Sequence, residues 1–111
     1  MMRAAIRIGF FAGLVAAGGS CSSRSEEDLR ADFEAYVAAH DQCTAVSDCV
    51  LIFPDCPLGC YAAVNVGAKE AAEAKAAALV AEYRHDHGTC VYECSAAIAD
   101  CVANHCMIVT Q

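Results

Sequence analysis

The chain has 111 residues, 7 basic and 14 acidic side chains, 9 cysteines and no tryptophan. That length holds a single domain. A net charge of −7 lacks the basic field a nucleic-acid binder needs, and cysteine at about one residue in twelve is foreign to a reducing cytosol. The first element in chain order is a leader. Arg3 and Arg7 give a basic start without an acid, 8–17 is an uncharged and largely apolar run, and Gly18-Gly19-Ser20 supplies small residues before Cys21. Basic head, short apolar run and small-residue cleavage zone are the parts of an export signal. The run is shorter than the roughly 20 residues a bilayer span needs.

Gly18-Gly19-Ser20-Cys21 resembles the lipobox of bacterial lipoproteins, with Gly18 where that family usually has an aliphatic residue. The resemblance implies a diacylglyceryl group on the Cys21 sulfur, cleavage before Cys21 and acylation of the freed amine by a fatty acid such as palmitate. Ser22 rather than Asp after the cysteine resembles the form sorted to the outer membrane. Two or three acyl chains anchor durably where one does not. Loss of residues 1–20 takes both leader arginines away and leaves five basic residues against fourteen acidic ones, a net of −9. The expected organisation is a signal peptide over 1–20, a lipidated tether over 21–25 and one domain over 26–111.

Cysteine parity gives the same division. Without Cys21, eight remain: Cys43, Cys49, Cys56, Cys60, Cys90, Cys94, Cys101 and Cys106. An even number in an exported domain reads as a disulfide framework. Alanine accounts for 24 of the residues, so large apolar side chains are few, and a small domain with a thin core needs such staples. The reduced chain is expected to be largely unfolded.

Ser25, with Asp28 three residues on and Glu26-Glu27 in the first turn, predicts the start of a helix over 26–40. Leu29, Phe33, Tyr36, Val37 and His40 form its inward stripe. Residues 43–49 read as a polar loop and 50–53 as a short buried strand stopped at Pro54. The segment 54–60, with two prolines and Gly59, is turn-rich. Residues 61–65 lead into a second, alanine-rich helix over about 66–86. Its inner face is Ala72, Ala76, Leu79, Val80 and Tyr83, Lys69 and Glu73 pair outside, and Gly88 ends it. Residues 89–93 read as a strand, 95–99 as a helical turn and 107–110 as a strand. The economical sheet pairs 50–53 with 107–110 under the second helix. The class is therefore α+β: a small disulfide-rich domain with two helices packed on a short antiparallel sheet.

Cysteine spacing is nearly mirrored about the second helix. A nested ladder would join Cys60–Cys90, Cys56–Cys94, Cys49–Cys101 and Cys43–Cys106. Its innermost rung has to span a helix of about 31 Å, which requires extended chain on the approach to the helix. Its register conflicts with the 50–53/107–110 pairing, and eight cysteines allow about 105 connectivities. The pattern from Asp48-Cys49 through Cys56-Pro57-Leu58-Gly59-Cys60-Tyr61 to Cys90-Val91-Tyr92-Glu93-Cys94, closed by Cys101 and Cys106, resembles small cysteine-rich bacterial lipoproteins and secreted proteins over 43–109. That resemblance speaks to fold and location and implies no activity.

Three chemistries compete with a purely structural reading. Redox catalysis of the thioredoxin kind uses Cys-x-x-Cys, whereas both close pairs here are Cys-x-x-x-Cys, so structural bridges are expected. His85 and His87 with His105 could offer imidazoles to Zn²⁺, although histidine also suits a helix C-terminus by itself. No Gly-x-Ser-x-Gly, His-Glu-x-x-His or glycine-rich phosphate loop occurs in the chain. The expected function is a non-enzymatic envelope lipoprotein without a cofactor, held at the outer membrane and facing periplasm or cell surface as a binding or structural module. Its partners would be the membrane, through the lipid, and an envelope or secreted protein, with no nucleic acid. One alternative is a tethered inhibitor or effector of a secreted hydrolase or toxin, using Leu58 and Tyr61 of the rigid 54–61 loop. The other is a metal-handling lipoprotein using His85, His87 and His105.

Overall fold

A computed structural model describes residues 24–111; the expected leader, the lipobox-like segment and Cys21 lie outside the described residues. Helix α1 spans Glu26–Ala38, and its Ser25 hydroxyl accepts the Asp28 amide at 3.1 Å, as the capping pattern predicts. Helix α2 spans Lys69–His87 after a 3₁₀ turn at Val66–Ala68 and stops at Gly88, whose φ of 87° is a conformation glycine adopts without a Cβ clash. Four strands follow the chain order: β1 Cys49–Ile52, β2 Ala62–Asn65, β3 Ala97–Val102 and β4 His105–Thr110.

The strands form two separate antiparallel sheets. β1 pairs with β2, with Val50 opposite Val64, and β3 pairs with β4, with Cys101 opposite Cys106. The expected pairing of 50–53 with 107–110 is thus replaced by two local hairpins. The expected strand at 89–93 and helical turn at 95–99 are also absent: residues 88–96 carry neither helix nor strand, and 97–102 is β3. Ala103 and Asn104 make the β3–β4 turn with φ of 50° and 65°, the two left-handed residues a tight hairpin demands.

Three layers result. The β1–β2 sheet lies in the middle. Its Ile52, Ala62 and Val64 face the helices, where Leu29 and Phe33 of α1 and Ala72, Ala76, Leu79 and Val80 of α2 complete the main core. Its Leu51, Ala63 and Cys49 face the other way, onto Ala99, Cys101 and Cys106 of the β3–β4 hairpin. Both faces are covered, which is why β1 reads as a continuous apolar run and not as an alternating one. The inner stripes read from the helical periodicity are the ones that pack, with Tyr36, Val37 and Tyr83 at the rim and His40 stacked on Tyr36 at 4.2 Å.

The two helices run antiparallel. At one end the carbonyl of His40 accepts the Asn65 amide at 2.8 Å, just before α2 begins. At the other, the Arg24 guanidinium bonds Glu82 at 2.6 and 2.9 Å and Asp32 at 2.8 Å, while its carbonyl meets Nε2 of His87 at 2.9 Å. Arg24, expected in the tether, therefore belongs to the folded domain. Of these two ends, the first is the hairpin-turn end of the domain and the second its entry end.

Candidate functional site

All eight cysteines downstream of Cys21 are paired: Cys43–Cys101, Cys49–Cys106, Cys56–Cys90 and Cys60–Cys94, with Cα separations of 5.5 to 5.9 Å. These fit the 4.4–6.8 Å range of disulfides. None of these bridges is a rung of the nested ladder. The reason is chain direction. A nested ladder needs flanks that run in opposite directions, and here the linked segments run in the same one. Residues 56–60 lead into β2 and 90–94 lead into β3, and both strands leave the entry end for the hairpin-turn end. Cys49 and Cys106 in turn stand near the starts of β1 and β4, which both run back. The extended chain required before the second helix exists as β2.

At the hairpin-turn end the sulfurs of Cys43, Cys49 and Cys106 lie within 4.8 Å of one another. Cys101 and Cys106 are cross-strand partners, so they present their side chains to the same face, where the 43–49 loop meets them. That loop is closed by Asp48, whose carboxylate accepts the Thr44 amide at 2.8 Å, the Thr44 hydroxyl at 3.0 Å and the Ala45 amide at 3.0 Å. These bonds hold the Asp48 carboxyl below its ordinary range.

At the entry end, Arg30 donates to the Pro57 carbonyl at 2.8 Å and to the Tyr92 hydroxyl at 3.1 Å. Arg84 reaches Asp55 at 3.1 Å. The Tyr61 hydroxyl donates to the Ser95 carbonyl. The Arg24 guanidinium lowers the carboxyls of both Glu82 and Asp32, and Lys75 at 3.0 Å from Asp32 adds to the latter.

The contact residues expected in the 54–61 loop need correction. Leu58 is 9% exposed and belongs to the main core, and Tyr61 is half-buried with its hydroxyl engaged. The apolar residues that this region presents to solvent are Phe53, 73% exposed, and Val91, 88% exposed. Phe53, expected to end a buried strand, lies one residue past β1 and rests an edge on Tyr61 at 5.3 Å. Phe53 and Val91 line one shallow hollow with Gly59, Cys60 and Cys94. On its other side Phe53 borders an open groove of about 460 Å³ over Ala76, Ala77, Val80 and Ala81 of α2. The exposure of Phe53 was missed because an aromatic residue continuing an apolar run reads as strand; Pro54 directly after it was the available signal that the run had ended.

The three imidazoles of the metal-handling alternative do not converge. His85 and His87 sit at the C-terminal end of α2, where His85 bonds Asp86 at 2.8 Å and His87 bonds the Arg24 carbonyl. His105 stands beside the hairpin turn, with Nδ1 2.9 Å from the Asp41 carboxylate. Helix α2 at 19 residues, about 1.5 Å per residue, separates the two ends. Among the described residues no helix is long and apolar enough to cross a membrane. No family model matches the chain, and neither a curated protein nor a solved structure matches it.

Proposed function

We propose that the protein is an exported, lipid-anchored envelope protein acylated at Cys21, working without catalysis as a binding or structural module at the outer membrane. The observation that carries this reading is cysteine accounting. Four bridges consume every cysteine after the leader, and Cys21 is the one that remains, directly after Gly18-Gly19-Ser20. Disulfides of this density belong to an oxidising compartment, and an odd cysteine ending a leader is explained by acylation. Helix termini supply the role of His85 and His87 without a metal. The imidazoles at opposite ends of α2 weigh against a shared metal site.

Intact mass of the membrane fraction tests this. The expected species begins at Cys21, carries a diacylglyceryl group and an amide-linked acyl chain, and gains eight hydrogens on reduction. A chain retaining residues 1–20, or one whose eight downstream cysteines react with a thiol reagent before reduction, overturns the reading.

A further inference from the structure

We propose that Phe53 and Val91 form a second, non-covalent contact with the same bilayer that holds the anchor, seating the entry end of the domain on the membrane interface. This rests on acylation at Cys21. Two residues, Ser22 and Ser23, separate Cys21 from Arg24, a reach of at most about 10 Å. Arg24 is no swivel: its guanidinium holds Glu82 and Asp32 and its carbonyl meets His87. A lipid on Cys21 therefore brings one particular end of the molecule down to the bilayer.

That end is where Phe53 and Val91 are. Phe53 borders the groove that runs along α2 from Glu73 to Arg84, and Asp55, two residues past Phe53, pairs with Arg84. Val91 lies four residues past the end of α2, beside Tyr92, which Arg30 of α1 holds. The two side chains share one hollow. They are the two most exposed large apolar residues in the described chain, and both sit on segments fixed by the Cys56–Cys90 and Cys60–Cys94 bridges. A rigid apolar pair at the end of the domain where the tether enters is suited to partition into the interface. The arginines of this end are paired with carboxylates, Arg24 with Glu82 and Asp32, Arg30 with Glu26 and Arg84 with Asp55, so the contact is apolar and not basic. The net of −9 opposes adsorption of the free domain to an anionic surface, so the contact forms once the anchor has placed it.

The absence of tryptophan from the chain gives a clean test. Phe53→Trp, Val91→Trp and, at the hairpin-turn end, Val46→Trp, 57% exposed, each introduce a single reporter. The acylated proteins are reconstituted into phosphatidylethanolamine–phosphatidylglycerol vesicles with and without nitroxide-labelled acyl chains. Folding is checked by the four-bridge mass. The expected result is blue-shifted emission and at least about twofold quenching for Phe53→Trp and Val91→Trp, and neither for Val46→Trp. Vesicle-bound protein with all three reporters equally unquenched overturns the membrane contact while leaving the anchor intact. Protein recovered from the membrane fraction with no acyl group on Cys21 overturns the anchor, and the contact with it.

Discussion

The two ends of this domain carry the same crosslink chemistry and use it differently. At the hairpin-turn end, Cys43–Cys101 and Cys49–Cys106 lie between two hydrogen-bonded sheets, with Cys43 and Cys106 buried beside Ala63. The bridges there fasten one hairpin to the other parts of the core: Cys49–Cys106 joins β1 to β4 across the two sheets, and Cys43–Cys101 joins the 43–49 loop to β3. At the entry end, Cys56–Cys90 and Cys60–Cys94 hold a segment, 88–96, that forms no helix or strand. Cys94 is exposed, and the segment is otherwise tied by hydrogen bonds from Arg30 to Tyr92, from Tyr61 to the Ser95 carbonyl and from the Gln111 amide to the Ala96 carbonyl. One pair of bridges adds to secondary structure and the other stands in place of it. A chain this rich in alanine has too little oily surface to order both ends by packing alone.

Deleting bridges breaks the comparison most directly. Paired serine substitutions at Cys43/Cys101 should cost about 2–4 kcal/mol of global stability in urea unfolding. Loop entropy alone makes this bridge, spanning 58 residues, more valuable than Cys60–Cys94, spanning 34, by about 0.5 kcal/mol. Hydrogen exchange separates their roles. Loss of Cys60–Cys94 should raise exchange in 88–96 with α1 and α2 still protected, whereas loss of Cys43–Cys101 should raise it throughout. Uniform loss of protection in both variants would show that the two ends are one cooperative unit.

A smaller change sharpens the hairpin side. Ala103 holds a left-handed φ of 50°, which costs an L-residue roughly 1 kcal/mol that glycine avoids. Ala103→Gly should raise stability by about that amount, read as a shift in the urea midpoint at unchanged slope. No gain would show that the turn is held by its surroundings at no cost.

The smallest effect belongs to the entry end and depends on pH. Asp32 and Glu82 have carboxyls lowered chiefly by Arg24, and Asp48, at the other end, is lowered by the Thr44 and Ala45 amides. A depressed folded value means that stability is present above the unfolded carboxyl range, about pH 4. It is lost as pH falls through the folded values. Thermal unfolding of Arg24→Gln should therefore show a shallower acid decline than the parent below about pH 4. The residual slope left by Asp48 should remain. These partners are substantially exposed, so the difference should shrink in high salt. Parallel acid profiles for the two proteins would remove Arg24 from the set of fixed contacts.

The regular parts of the fold were legible because each follows from a local period. The Ser25 cap, the Leu29–Phe33 stripe, the Ala72–Val80 face and the Gly88 stop all depend on neighbours within a few residues. The hairpins were not. Ala103-Asn104 lacks the glycine that marks a tight turn, and β2 is concealed in an alanine-rich approach to a helix. Thr89-Cys90-Val91-Tyr92 has the β-branched and aromatic content of a strand, but it has no partner to pair with and so remains irregular. In the 54–61 region loop composition did not tell which apolar side chains stay in water: Leu58 turned in to the core, and Phe53 and Val91 turned out.

By itself the sequence determined the residue classes: which cysteines exist to be crosslinked and which helical faces are apolar. Only the tertiary structure decided which cysteine meets which, which strands share a sheet, and which apolar residues remain in water. The physical reason is range. Periodicity and capping act over a turn or two of chain, whereas a disulfide across 58 residues depends on the direction in which every intervening segment runs.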